Sequence, residues 1–359
     1  MAAWVKGGAT DADTAIEAAA SLLAKARAPV IAGLSADVAA IRAAYDLAGR
    51  IGASIDTAGA AATYAELGSL SRIGAMTTTP AEAVGRADAV LVVGAAPWRS
   101  QLMKRLSALK PSRGRAAGSD RALLALGAGS EGAAATLACP AEGGLPEAIA
   151  ELRAYGRGHL AGDTPRAKLA GLLADAQFGV LLYDPAEIGE LGVDMLQGLA
   201  MELSETTRCF TLAIAGPDQD RAVVPVAAWL TGQAPRSGFG RRVPEHDPWR
   251  FDVARQVAAG EVDAVLWLAA LPVPRPGWLA SVPSVGLVAE AEANVADVVI
   301  AVGRPGRDLG GVLWNEQRAA LTYWPASAPS ERPSAASVLS ALRDRLAEGR
   351  AASRSEPAC

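Results

Sequence analysis

The chain is short of the residues that metal and nucleophilic chemistry most often use. Its 359 residues include three cysteines, Cys139, Cys209 and Cys359, with no C-x-x-C spacing. Such a set excludes an iron–sulfur site, a structural zinc site and a disulfide framework. The two histidines, His159 and His246, stand alone and no H-E-x-x-H occurs, so a zinc cluster would need carboxylates for most of its ligands. A P-loop is absent. No run of five or more like charges occurs and the formal charge is −4, which points to neither a nucleic-acid arm nor a membrane patch. No apolar run is long enough to cross a bilayer, and Met1–Asp13 lacks the apolar core of a signal peptide. A soluble, cytoplasmic protein is the expectation. Lysine is scarce too: of 34 basic residues five are lysine (Lys6, Lys25, Lys104, Lys110, Lys168), leaving 29 arginines.

Ala, Gly, Val and Leu carry the apolar load, which suits helices packed closely on parallel sheets. Short Val/Ile/Leu runs alternate with Ala-rich amphipathic stretches, the pattern of an α/β fold with crossover helices. Strands are predicted at 29–33, 54–57, 89–94, 122–127 and 134–139, with helices at 13–25, 37–51, 80–87, 100–108 and 145–155. Thr79-Pro80 reads as a capped helix start. A linker is expected at 156–165, where periodicity breaks. A second series follows, with strands at 178–183, 209–215, 264–269, 285–289 and 298–302 and helices at 185–203, 223–231 and 248–259. A hairpin over 310–323 turning at Asn315 and a helix over 334–347 close the chain. The expected division is therefore 1–155, 156–326 and 327–359: two doubly wound, mostly parallel subdomains, then the last helix and tail.

Gly127-Ala-Gly-Ser-Glu-Gly132 matches G-x-G-x-x-G, but a dinucleotide site needs a helix next, and the residues that follow read as another strand. Gly33-Leu-Ser-Ala-Asp37 fails the hydrolase elbow G-x-S-x-G; Ser35 reads instead as the cap of the next helix, with Asp37 favoured by the dipole. The most site-like stretch is 232–248, a Gly/Pro-rich loop carrying Arg236, Arg241, Arg242, Glu245, His246 and Asp247. Its arginines could hold carboxylates in bidentate fashion or make an intersubunit contact; the plainer reading is a solvated loop with internal ion pairs.

Two groups of fragments carry a resemblance. The first is Ala28-Pro-Val-Ile-Ala-Gly33, Leu47-Ala-Gly-Arg-Ile-Gly52, Ser54-Ile-Asp56 and Gly85-Arg-Ala-Asp88. The second is Trp229-Leu-Thr-Gly232, Phe239-Gly-Arg241, Pro244, Gly260-Glu-Val-Asp-Ala264 and Ala296-Asp-Val-Val-Ile300 with Gly303 and Pro305-Gly306. Together they resemble the molybdopterin-binding B subunit of formylmethanofuran dehydrogenase, of the molybdopterin oxidoreductase fold, from about Ala28 to Tyr323. That family opens with cysteines for an iron–sulfur cluster, which are missing here. Its metal-ligating Cys-His pair falls on Ala62 and Thr63, and alanine cannot ligate molybdenum or tungsten. Only the loop arginine persists, as Arg241.

The resemblance thus implies the degenerate form found as the B subunit of the bacterial formyltransferase/hydrolase complex. It implies a non-catalytic structural subunit without molybdopterin, molybdenum, tungsten, iron–sulfur cluster or metal of its own. Its implied partners are amidohydrolase-like, formyltransferase and formylmethanofuran dehydrogenase C-like subunits, with a furan-type carrier in the complex and zinc in a partner. The alternative is an enzyme or sensor binding a nucleotide- or pterin-like ligand in the vestigial cleft. Lys25–Gly33 also resembles the central domain of thiamine-diphosphate enzymes, but their Gly-Asp-Gly…Asn-Asn motif is absent.

Overall fold

A computed structural model describes residues 2–216 and 219–355. The chain forms two compact units, one of residues 1–60, 216–314 and 321–359, the other of residues 61–215 and 315–320. The expected boundary near residue 155 is not where they part. The Gly156–Pro165 stretch lies inside the second unit, joining helix Leu145–Gly156 to a helix at Pro165–Ala174 that the broken periodicity concealed. The first unit's sheet draws strands from both ends of the chain, so that unit is closed by the chain's return after residue 215.

The first unit holds a nine-stranded sheet. Five central strands are parallel, in the order Ser54–Ile55, Pro29–Ser35, Ala264–Ala269, Ser284–Val288, Val298–Ala301. Every residue of Pro29–Ser35 and Ala264–Ala269 is buried, as expected of strands covered on both faces. Both sheet edges carry short antiparallel pairs that sequence alternation could not reveal: Ala3–Val5 with Gly8–Thr10, and Ser237–Gly238 with Glu245–His246. The 232–248 stretch, expected as a loop, therefore extends the sheet by main-chain pairing. Helices Ala12–Lys25, Val38–Ile51, Asp220–Thr231 and Ala335–Ser355 contribute to one apolar core, and helix Val253–Ala258 contributes to another that includes Trp267 and Trp278.

The second unit is a five-stranded, wholly parallel sheet in the order Leu137–Cys139, Ala122–Leu126, Ala89–Val93, Gly179–Tyr183, Cys209–Ala213. Helices Leu145–Gly156, Pro165–Ala174 and Pro185–Leu203 pack into one core, and Pro80–Arg86 and Gln101–Ala108 into another. Thr79 caps Pro80–Arg86 by accepting the Glu82 N–H at 3.3 Å. The Gly127–Gly132 motif leads into a 3-10 turn, Gly129–Ala134, and the strand expected from 134 begins only at Leu137. The terminal hairpin pairs Gly311–Asn315 with Ala320–Trp324.

Candidate functional site

Asp56 follows directly on the strand Ser54–Ile55, and the 232–252 segment folds over it. Asp56 is 1% exposed. It accepts the Thr57 N–H at 2.8 Å, the Val253 N–H at 3.2 Å and Arg236 Nε at 3.3 Å. Arg236 also reaches Asp252 at 2.6 Å and donates to the Pro248 carbonyl at 2.7 Å. Burial pushes the Asp56 carboxyl up to about 7, against the pull of Arg236. Arg236 has a positive φ of 57°, a conformation costing a non-glycine residue about 1 kcal/mol. The cluster holds the segment against the sheet.

The three arginines of the 232–248 stretch therefore have different environments. Arg236 is an internal tether, its side chain 14% exposed between two carboxylates. Arg241 is 76% exposed and pairs with Glu245 at 3.0 Å. Arg242 is exposed, and its N–H donates to the Phe239 carbonyl at 2.8 Å. His246 sets its Nδ1 3.1 Å from the Arg236 carbonyl, and Asp247 accepts the Trp249 and Arg250 N–H groups. Of the readings open for this stretch, internal pairing fits Arg236.

A second polar cluster escaped sequence reasoning. Thr57 Oγ1 donates to Asp220 at 2.5 Å and the Gly59 N–H reaches the same carboxylate at 3.2 Å, joining positions 163 apart in the chain. Ala62 and Thr63 lie in the first turn of a helix, Ala60–Ile73, which was not foreseen. Thr63 is buried and Ala62 half-buried. Ser35, expected as a cap, is the last residue of its strand; the cap is Asp37, which accepts the Ala40 N–H at 3.4 Å.

Doubly wound sheets hold ligands where strand order reverses, at the carboxyl ends. In the first unit that point lies between Pro29–Ser35 and Ala264–Ala269. There the Leu271 N–H donates to the Ser35 carbonyl at 2.9 Å, and Gly311 packs so closely on Asp37 that an added Cβ would come within 3.1 Å of it. In the second unit the reversal lies between Ala89–Val93 and Gly179–Tyr183. Glu187 reaches across it and accepts the Ala95 and Ala96 N–H groups at 2.7 and 2.9 Å. A Cβ on Gly94 would collide with that carboxylate. At the second unit's reversal point the chain's own Glu187 thus takes two N–H donors that a ligand phosphate would need.

The donors present do not fit a molybdenum or tungsten centre. Ala62 and Thr63 offer no thiolate. Cys139 and Cys209 are buried in strands, where desolvation raises both thiols, Cys209 to about 12. Cys359 lies outside the described residues. Among the described residues no group of three or more His, Cys, Asp or Glu side chains could hold a metal ion, and no helix is long and apolar enough to cross a membrane.

No family model matches the chain. It is 56% identical over 357 residues to the B subunit of the formyltransferase/hydrolase complex Fhc of Methylorubrum extorquens, covering 97% of this chain and 99% of that one. It also matches a chain in the crystal structure of the complex FhcABCD from Methylorubrum extorquens with methylofuran. That match has a TM-score of 0.92 and 55% identity, over 97% of this chain and 99% of that chain. The likeness runs through both compact units, and the chain belongs to the family of B subunits of the formyltransferase/hydrolase complex.

Proposed function

We propose that this chain is the B subunit of a four-subunit formyltransferase/hydrolase complex and serves there as a non-catalytic architectural component in the cytoplasm. The near-complete coverage of its Fhc relative carries the reading. Alanine and threonine at the family's ligand position support it, since neither provides a thiolate. The chemistry then belongs to an amidohydrolase-like subunit with zinc and a formyltransferase subunit, joined by a formylmethanofuran dehydrogenase C-like subunit and a furan-type carrier. A nucleotide- or pterin-binding role is less well supported, because Glu187 already engages the two N–H groups at one reversal point.

Within that role, Arg241 and Arg242 are assigned to a carrier carboxylate or to a contact between subunits, since both are exposed and guanidinium forks suit carboxylates. The test is formate release from the formylated carrier, measured for this chain alone, for its partners alone and for the complete complex. The chain alone is expected to be inactive, and the partners to lose activity without it. Turnover by the isolated chain contradicts the non-catalytic role. Unchanged carrier retention, assembly and formyl flux in an Arg241→Ala/Arg242→Ala complex contradicts the arginine assignment.

A further inference from the structure

In chain order the principal elements run twice through one series. Residues 12–156 give helix Ala12–Lys25, strand Pro29–Ser35, helix Val38–Ile51 and strand Ser54–Ile55. Helices Ala60–Ile73 and Pro80–Arg86, strands Ala89–Val93, Ala122–Leu126 and Leu137–Cys139, and helix Leu145–Gly156 follow. Residues 165–355 repeat this with helix Pro165–Ala174, strand Gly179–Tyr183, helix Pro185–Leu203 and strand Cys209–Ala213. Helices Asp220–Thr231 and Val253–Ala258, strands Ala264–Ala269, Ser284–Val288 and Val298–Ala301, and helix Ala335–Ser355 follow in turn. Each sheet joins the first two of these strands from one series to the last three from the other, in the same spatial order. The closing helices are exchanged in the same way. Ala335–Ser355 packs on Ala12–Lys25 and Val38–Ile51, and Leu145–Gly156 packs on Pro165–Ala174 and Pro185–Leu203.

The match reaches single residues. Gly85-Arg-Ala-Asp88-Ala-Val-Leu91 and Gly260-Glu-Val-Asp263-Ala-Val-Leu266 share G-x-x-D-A-V-L. In each, the aspartate stands just before a strand and accepts two consecutive N–H groups just before the neighbouring strand. Asp88 takes those of Gln177 and Phe178 at 2.9 and 2.8 Å, and Asp263 those of Arg27 and Ala28 at 2.8 and 2.9 Å. The two strand pairs start in one register, Ala89 beside Gly179 and Ala264 beside Pro29. Beyond the second strand of each series the same kind of strap is found. Met76 and Thr78 bond to Thr211 in one unit, and Ser237–Gly238 pairs with Ser54–Ile55 in the other. Element order alone recurs among doubly wound folds. A shared motif that makes the same two-bond clamp at the same register does not follow from fold, and self-similarity at this level marks a repeat.

We propose that residues 12–156 and 165–355 are two copies of one module, each built as the binding partner of the other. The interaction surfaces are Pro29–Ser35 on Ala264–Ala269 and Gly179–Tyr183 on Ala89–Val93, each closed by its aspartate clamp. Both points where strand order reverses are therefore junctions between copies, and neither copy holds a whole sheet by itself. The exposed 157–163 stretch is a tie between mutually completed copies, the single-chain counterpart of an exchange of identical elements between protomers.

The experiment uses the full chain with a protease site inserted between Ala161 and Gly162, cleaved after folding. The two fragments are expected to stay together on gel filtration in native buffer and to part only in urea. Asp88→Ala and Asp263→Ala each remove one clamp of two charge-assisted bonds. Each should lower the urea concentration that parts the fragments, by shifts within about twofold of one another. Asp120→Ala, which breaks an exposed pair with Lys110 inside one copy, should leave that concentration unchanged. Thermal melting of each uncut variant controls for folding, and Asp88→Asn and Asp263→Asn, which keep one acceptor oxygen, replace an alanine variant that does not fold. Fragments that separate in native buffer, each with its own cooperative melt, overturn mutual completion. A clamp that matters on one side only overturns the equivalence of the copies.

Discussion

At the scale of single residues, Asp56 and Arg236 account for most of what the 232–252 segment does. Arg236→Ala is expected to cost about 3 kcal/mol, since it strands buried Asp56 and removes a tether to Asp252 and Pro248. Arg241→Ala should change stability by less than about 0.5 kcal/mol, its pair with Glu245 being exposed. Urea unfolding of the two variants checks the contrast, and equal losses contradict it. The Asp56 carboxyl, raised by burial to about 7, lies above its unfolded value of about 3.9. Between those values the folded state binds more protons than the unfolded one. Its contribution is therefore fully present below about pH 4 and is lost as pH rises through about 7. Asp56→Asn should flatten that part of the stability–pH curve; an unchanged slope would show that Asp56 does not titrate there. Asp56 was visible in the sequence as the end of a strand. Its partner, 180 positions away, was not, because only the folded sheet brings the two together.

At the scale of elements, the buried strands and capped helices were legible because their signals are local. Pro29–Ser35 is a continuous apolar run, and Thr79-Pro80 and Ser100 are capping residues at helix starts. The edge strands were hidden because two or three residues cannot show alternation, and main-chain pairing alone sets them. Helix Ala60–Ile73 was missed because its Ala/Gly/Ser-rich sequence has little amphipathic contrast. Glycine was legible only as a breaker, whereas packing decides its cost. At Gly33 φ is 93° and a Cβ would sit 2.6 Å from the Leu268 carbonyl oxygen, where strands Pro29–Ser35 and Ala264–Ala269 meet. Gly33→Ala should therefore cost more than about 2 kcal/mol. Gly171, inside helix Pro165–Ala174 with nothing within 4 Å of such a Cβ, should gain about 0.5–1 kcal/mol on Gly171→Ala. Thermal melting of the two variants tests this opposite sign.

At the scale of the whole molecule, the chain keeps two doubly wound sheets while its own groups line the points where such sheets take ligands. Glu187 engages the Ala95 and Ala96 N–H groups, and Gly311 packs on Asp37. The family resemblance was legible in sequence, because its fragments keep a recognisable order along the chain. The discontinuous make-up of the first unit was not, since it depends on strands from both halves of the chain joining one sheet. On the proposed function, this scaffold works by assembly. Native mass spectrometry of the tagged chain, purified gently from its own cells, tests it most directly. The expected result is a complex of this chain with three different subunits, among them an amidohydrolase-like and a formyltransferase subunit. Recovery of the chain only as a monomer or as copies of itself would contradict it.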